Sequence, residues 1–139
     1  MDLSQPLTLY EKMGGAETID CIVSAFYPRV QSDPLLAPLF PEDIRPVMEK
    51  QKCFLTQFFG GPPLYSQKYG HPRLRMRHLP FPITPSRANA WLRCMSLALD
   101  EAGIEGELRQ EMWSRLYFTA SHMINTDEED ISSNTPREN

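Results

Sequence analysis

Three histidines, His71, His78 and His122, are the side chains of this sequence that first suggest metal or acid–base chemistry. Three imidazoles can hold a zinc ion in a catalytic site. However, no two of these histidines have the HxxxH or HExxH spacing that places both ligands on one face of a helix. A zinc site is therefore not expected, and an isolated histidine on a helix is more often structural or solvent-exposed.

His78 differs from the other two in its setting. It ends a basic segment that begins at Gly70, and Leu79-Pro80-Phe81-Pro82 follows it directly. The two prolines stiffen the chain on either side of Phe81. The imidazole is thus held at the end of a short helix, beside aromatic surface and arginines. This setting suits a metal ligand inside a flat, apolar, anionic cofactor, and haem has these properties.

The region from residue 50 to residue 99 contains no acidic residue, although the whole chain has a formal net charge of −4. Its cationic residues are Lys50, Lys52, Lys68, Arg73, Arg75, Arg77, Arg87 and Arg93. Such a stretch either favours an anionic partner or forms a solvated face, and charge alone leaves both open. A nucleic-acid-binding domain is normally more basic than this chain, whose pI is about 5.3. We therefore expect a small anion with carboxylates or phosphates.

Helical periodicity recurs along the chain, without strand alternation or a hairpin signal. It predicts helices over 7–13 and 16–31, a helical turn in 33–41, and helices over 46–60, between 72 and 80, over 84–103 and over 106–125. Pro28 lies inside the second helix and predicts a kink, because proline removes a backbone hydrogen bond. We expect one all-α domain, residues 1–125, followed by an acidic, disordered tail, residues 126–139.

The sequence also argues against membrane and secreted proteins. No apolar run is long enough to span a bilayer, and the N-terminus lacks the features of a signal peptide. Cys21, Cys53 and Cys94 are odd in number and widely spaced, which argues against a disulfide framework. We expect a cytoplasmic protein with no membrane or nucleic-acid partner, whose cysteines occupy core or helix-surface positions.

Several short motifs occur in one order along the chain. They are Phe26-Tyr27, Lys50-Gln51-Lys52, Phe54-Leu55-Thr56-Gln57, Gly60 through Tyr65, Gly70-His71-Pro72, and Arg77 through Phe81, followed by Trp91. Each motif alone is weak, but together they are specific. From about Tyr10 to Asn125 the sequence resembles a group II truncated haemoglobin of the kind found in bacilli. The resemblance implies a truncated globin, a two-over-two helical sandwich around haem b.

The resemblance also implies roles for individual residues. His78 corresponds to the proximal ligand of the haem iron. Tyr27, Gln51 and Trp91 correspond to the distal polar groups that surround a diatomic ligand. The other cofactor contacts are Arg77, Lys50 and Tyr65 at the propionates, and Phe40, Phe54, Leu55 and Phe81 at the apolar surface. Val47 stands where relatives often carry a small or hydroxyl residue, so a narrowed side entrance for ligands is expected.

The activity implied by the resemblance is reversible binding of dioxygen and other small diatomic ligands at a five-coordinate iron, in a monomer or homodimer. Whether the protein is an enzyme is left open. We rank redox chemistry on the ligand, nitric oxide dioxygenation or peroxide turnover with a reductase, above diffusible oxygen delivery, on family analogy alone. The alternative is a haem-free globin-fold interaction or sensor module, which would not need His78. A helical nucleic-acid binder is a third interpretation and predicts salt-dependent retention on DNA.

Overall fold

The computed structural model describes residues 6–128. Within this range the chain forms seven α-helices and a 3-10 turn, and it contains no strand. The helices are α1 (Leu9–Met13), α2 (Ala16–Ser32), α3 (Arg45–Phe58), α4 (Leu64–Tyr69), α5 (Leu74–His78), α6 (Pro85–Glu101) and α7 (Gly106–Met123), with the 3-10 turn at Ala37–Leu39. The all-α prediction is confirmed. None of the described helices is both long and apolar enough to cross a membrane.

The hydrophobic core is centred on α2, which packs most extensively against α6 and next against α3. The side chains of Ile22, Val23, Phe26 and Val30 on α2 are at most 1% exposed. Burial of each such side chain contributes roughly 1.5–3 kcal/mol relative to its exposure to water. The apolar face that the periodicity predicts for α2 is therefore the face that forms the core.

Pro28 does not interrupt α2, which continues to Ser32. Its missing N–H leaves the carbonyl of Ser24, four residues earlier, without its helical partner. Both residues lie on the exposed face of the helix, where water can bond to that carbonyl. Nearby, Arg29 donates from Nη1 to the carbonyl oxygen of Ala25 at 2.7 Å. This side-chain hydrogen bond further stabilises the same turn.

Helix α4 is absent from the sequence-based prediction. It contains six residues, follows Pro62-Pro63, and is too short to show an apolar period. Two tertiary hydrogen bonds hold it against α3. Gln57 Nε2 donates to Ser66 Oγ at 2.8 Å, and the Ser66 N–H donates to Gln57 Oε1 at 2.9 Å. Tyr65 is also buried. Contacts with α3, which no local pattern encodes, stabilise α4.

The predicted boundary at Gly60-Gly61 is confirmed, and Gly61 has a packing reason for its lack of a side chain. A Cβ atom at this position would lie 2.8 Å from the Tyr10 ring and 2.9 Å from the backbone oxygen of Thr56. The Tyr10 N–H also donates to the carbonyl of Phe59 at 2.8 Å. Close approach of α1 to the end of α3 therefore requires glycine here.

The cysteines occupy the kinds of position that the sequence predicts. All three are free; Cys21 is exposed, whereas Cys53 and Cys94 are buried. Burial is the main cause that raises the pKa of the Cys53 and Cys94 thiols. These two thiols are therefore protonated, apolar parts of the packing rather than nucleophiles.

The segment after α7 contacts the region before and at the start of α6. The Thr126 N–H donates to the carbonyl of Ile83 at 3.2 Å, and the Ser86 N–H donates to Glu128 Oε2 at 2.6 Å. The second bond lowers the pKa of the Glu128 carboxyl. The remainder of the predicted acidic tail, residues 129–139, lies outside the described residues.

Thr84 is the N-cap of α6, the helix that carries Trp91. Its Oγ1 accepts a hydrogen bond from the Arg87 N–H at 3.1 Å, and the residue is buried. We expect Thr84→Ala to lower the free energy of unfolding by about 1 kcal/mol. In a domain of this size that loss lowers the melting temperature by about 3–5 °C. Thr84→Ser keeps the acceptor and should lose clearly less. Circular dichroism melts of both variants provide the test, and equal losses would contradict the capping role.

Candidate functional site

The three histidines are placed separately rather than in one cluster. His71 Nδ1 accepts a hydrogen bond from the Arg73 N–H at 3.2 Å, and the His122 ring lies 5.0 Å from the ring of Phe118, centroid to centroid. Within residues 6–128 no group of three or more His, Cys, Asp or Glu side chains is arranged to hold a metal ion.

His78 is the last residue of α5 and is half-buried. Its Nδ1 lies 2.8 Å from the carbonyl oxygen of Leu74, one helical turn earlier. Because a carbonyl only accepts, this contact requires a proton on Nδ1, and in the neutral imidazole the lone pair is then on Nε2. No described residue forms a hydrogen bond with Nε2. A neutral imidazole with one nitrogen anchored to a carbonyl and the other free is the usual arrangement of a metal-ligating histidine.

Tyr27, Phe26 and Trp91 form an aromatic cluster between α2 and α6. The Phe26 ring centroid lies 4.8 Å from that of Tyr27 and 5.3 Å from that of Trp91, both edge-on. Tyr27 also meets Phe40, after the 3-10 turn, edge-on at 6.1 Å. The structure thus brings together two of the three predicted distal groups through the fully buried ring of Phe26.

The Tyr27 hydroxyl is a buried polar group without a partner among the described residues, although the residue is only 3% exposed. Burial raises the pKa of Tyr27 well above its ordinary value. The phenol therefore stays protonated near neutral pH and can act as a hydrogen-bond donor. A buried donor left unpaired costs free energy, so its retention points to a ligand that the side chain can meet.

Gln51 and Trp91 are half-buried, on α3 and α6 respectively. Neither the Gln51 amide nor the Trp91 indole N–H forms a side-chain hydrogen bond within the part of the chain that the structure describes. Val47, one turn before Gln51 on α3, is partly buried and packs against the core. Each of the three predicted distal residues thus has a side-chain hydrogen-bond donor without an acceptor among the described residues.

The apolar residues predicted to contact the cofactor differ in environment. Leu55 is 1% exposed and belongs to the core. Phe54 is half-buried, stacks on Phe58 at 5.2 Å and meets Tyr65 edge-on at 6.0 Å. Phe81 is 42% exposed, and its N–H donates to the carbonyl of His78 at 2.9 Å. An exposed aromatic ring therefore lies in the loop that follows His78, the candidate metal ligand.

The predicted propionate contacts lie close together around two tyrosines. Arg77 lies over the Tyr65 ring at 5.5 Å, and Lys50 lies over the Tyr69 ring at 5.3 Å. The two rings are 5.0 Å apart. Neither cation pairs with a carboxylate among residues 6–128, whereas Lys68 pairs with Glu49 at 3.6 Å. Lys50 and Arg77 are thus positioned to accept an anion.

Sequence reasoning missed two residues of this region, Tyr69 and Asn125. Tyr69 contributes a ring beneath Lys50 and a carbonyl oxygen that accepts from Arg77 Nη2 at 3.1 Å. Asn125 donates from Nδ2 to the carbonyls of His78 and Phe81, at 3.2 and 3.0 Å. No local pattern marks Asn125, because its partners lie 44 and 47 residues away in the sequence.

These residues fit a haem better than a bare metal ion. A structural zinc needs four protein ligands and a catalytic zinc needs three, whereas a porphyrin supplies four nitrogens and needs one histidine. His78 offers one free imidazole nitrogen beside apolar side chains. Lys50 and Arg77 are cations without a carboxylate partner among the described residues, and they suit the two propionates.

Comparison with known proteins agrees with a haem at these residues. The profile of the family described as "Bacterial-like globin" matches residues 8–125. The chain is 55% identical over 125 residues to a group 2 truncated haemoglobin of Bacillus subtilis, across 89% of this chain and 94% of that protein. The sequence similarity therefore covers all the predicted site residues.

Solved structures share the fold. The group II truncated haemoglobin of Bacillus anthracis superposes with a TM-score of 0.88 at 50% identity, over 90% of this chain and 96% of that one. The structure described as a truncated oxygen-avid haemoglobin from Bacillus subtilis superposes with a TM-score of 0.83 at 54% identity, over 86% of this chain and 100% of that one. The chain therefore belongs to the bacterial-like globin family, among the group II truncated haemoglobins with their two-on-two helical fold.

Proposed function

We propose that the protein binds haem b through His78 and reversibly binds dioxygen at a five-coordinate iron. The observation that carries the proposal is the half-buried His78 imidazole, whose Nδ1 is anchored to the Leu74 carbonyl while Nε2 is free. A related Bacillus subtilis protein is described as oxygen-avid, which supports dioxygen as the ligand. When bound, the haem would supply an iron that can bind a diatomic ligand.

The distal residues supply hydrogen-bond donors for a polar diatomic ligand. The Tyr27 phenol remains protonated because burial raises its pKa, and Gln51 and Trp91 offer an amide N–H and an indole N–H. In a buried site each bond to the ligand is worth about 1–3 kcal/mol. The neighbouring Phe26 and Phe40 rings restrict the Tyr27 ring, so the hydroxyl is oriented before the ligand arrives.

The remaining predicted contacts hold the cofactor. Lys50 and Arg77 would face the propionates, with Tyr65 between them and the apolar surface. Phe40, Phe54, Leu55 and Phe81 would cover the macrocycle. Because the two cations are exposed, their main effect is to slow loss of the haem rather than to tune its ligands.

A five-coordinate iron requires that no second histidine reach the distal side. His71 Nδ1 accepts from the Arg73 N–H, and the His122 ring lies against the Phe118 ring at a tilt. Both rings are exposed at the surface. The distal side is lined instead by a phenol, an amide and an indole, which donate hydrogen bonds rather than bind iron.

The first test concerns His78. We expect His78→Ala to lose the haem absorbance of the purified protein, or to recover it only when imidazole is added. His71→Ala and His122→Ala are the matched controls and should keep the absorbance. A normal haem spectrum in His78→Ala would overturn the ligand assignment, and wild-type protein that takes up no haem would favour the haem-free alternative.

The second test concerns the distal donors. Tyr27→Phe and Trp91→Phe each keep an aromatic ring but delete the donor. We expect dioxygen to dissociate about tenfold faster for each 1.4 kcal/mol of lost stabilisation. Carbon monoxide is less polar, so its dissociation should change far less. Stopped-flow measurement of both ligands separates hydrogen bonding from a widened pocket.

The control for this test is Tyr117→Phe, which deletes a hydroxyl from a tyrosine that is 54% exposed on α7. It should change neither rate. Equal acceleration for both ligands in the distal variants, or none for either, would contradict the donor role. The two effects need not add, because donors around one ligand form a single network.

The third test concerns the two cations. We expect the double variant Lys50→Ala, Arg77→Ala to transfer haem to an acceptor globin several-fold faster than wild type, with an unchanged ligand spectrum. A double variant of Lys12 and Arg115, both exposed, removes the same charge elsewhere. Equal transfer from both double variants would show that Lys50 and Arg77 belong only to a solvated face.

A further inference from the structure

Helix α5 is held in place by polar contacts rather than by apolar burial. It has five residues, and none of them is buried. Its main helical neighbour is α7, and it does not share in the packing of α2 against α3 and α6. A short helix without a buried face has little intrinsic stability. The orientation of His78 therefore depends on the hydrogen bonds that reach α5 from elsewhere.

Asn125, two residues beyond α7, forms the bond that reaches the His78 backbone, and it also holds the loop that follows α5. Its Nδ2 donates to the carbonyl oxygens of His78 and Phe81, at 3.2 and 3.0 Å. Its Oδ1 accepts from the Ile83 N–H at 2.9 Å, and its own N–H donates to the Ile83 carbonyl at 2.9 Å. Oδ1 also accepts from the Thr126 hydroxyl at 2.6 Å. The amide uses both its donors and both its acceptor positions, so its orientation is unique.

A second set of hydrogen bonds joins the same two segments, and here the donor lies on α5. Arg75, on α5, donates from Nη1 to the carbonyls of His122 and Ile124, at 2.8 and 3.0 Å. These carbonyls lie at the C-terminal end of α7, where the last turn has no helical donors. The end of α7 and the segment from α5 to Ile83 thus form one hydrogen-bonded unit.

We propose that Asn125 is a positioning residue for the proximal histidine, an inference that rests on the proposed role of His78 as iron ligand. The backbone of His78 is held at its carbonyl by Asn125, and its ring is held at Nδ1 by the Leu74 carbonyl. Together these bonds define the direction in which Nε2 points. Through Asn125, the end of α7 sets the geometry of the bond between iron and histidine.

The proposal depends on the two N–H groups of the Asn125 side chain. Two substitutions distinguish the effect of these donors from the effect of the acceptor oxygen, Oδ1. Asn125→Ala removes every side-chain bond. Asn125→Asp has the same shape and can still accept from the Ile83 N–H, but it cannot donate to the carbonyls of His78 and Phe81. A carboxylate there would instead face two carbonyl oxygens. Asn89→Ala is the matched control, because Asn89 is exposed on α6.

The test uses the haem-loaded ferrous protein. Resonance Raman spectroscopy reports the iron–histidine stretching band, which depends on the orientation and strain of that bond. We expect Asn125→Ala and Asn125→Asp to shift and broaden this band and to release haem several-fold faster, while Asn89→Ala matches wild type. Circular dichroism confirms that each variant retains its helices. Because the Asp variant is isosteric, it keeps the proposal testable if the Ala variant does not fold.

The outcomes separate this inference from the proposed function. If His78→Ala loses the band while both Asn125 variants keep it at the wild-type position and width, the positioning role is wrong and the ligand assignment stands. If His78→Ala keeps the band, the ligand assignment is wrong and the positioning role falls with it. A shift in Asn125→Ala but not in Asn125→Asp would also overturn the proposal, because the donors would then be irrelevant.

Discussion

Because α2 is buried against both α3 and α6, the position of this one helix constrains Tyr27 and Trp91, two of the three proposed distal donors. Phe26 has no exposed surface, and its ring meets Tyr27 and Trp91 edge-on. Interiors are packed as densely as organic crystals, so neither ring can shift without displacing Phe26. The apolar face of α2 therefore positions two polar groups.

This arrangement has a cost in stability. Burial of the Tyr27 hydroxyl without a protein partner opposes folding by about 1–3 kcal/mol, and the Trp91 N–H is unpaired among the described residues as well. The apolar burial of Ile22, Val23 and Val30 on the same helix offsets that cost. Departures from full hydrogen bonding are expected where a protein keeps polar groups for a ligand. The unpaired Tyr27 hydroxyl and these core residues thus lie on one helix, and the core contributes the stability.

The helix that carries His78, the proposed proximal ligand, is held by polar contacts instead. Helix α5 has no buried residue, and Arg75 and Asn125 connect it to the end of α7 through hydrogen bonds to backbone carbonyls. Hydrogen bonds are directional, whereas apolar packing is not, so few contacts can orient the His78 imidazole. In the proposed site, the densely packed residues around Tyr27 and the hydrogen-bonded helix that carries His78 would therefore differ in their resistance to movement.

The all-α class, the main helices, the apolar face of α2 and the distinct setting of His78 could be predicted from the sequence. These features follow from period, proline, glycine and charge, which act over a few residues. The sequence could not determine α4, the unbroken course of α2 through Pro28, or the contacts of Asn125. The Gln57–Ser66 bonds join residues 9 apart, and the Asn125–His78 bond joins residues 47 apart. These features depend on tertiary contacts: α4 is held by α3, α2 is buried against α3 and α6, and the Asn125 bonds form when the end of α7 lies beside residues 78–83.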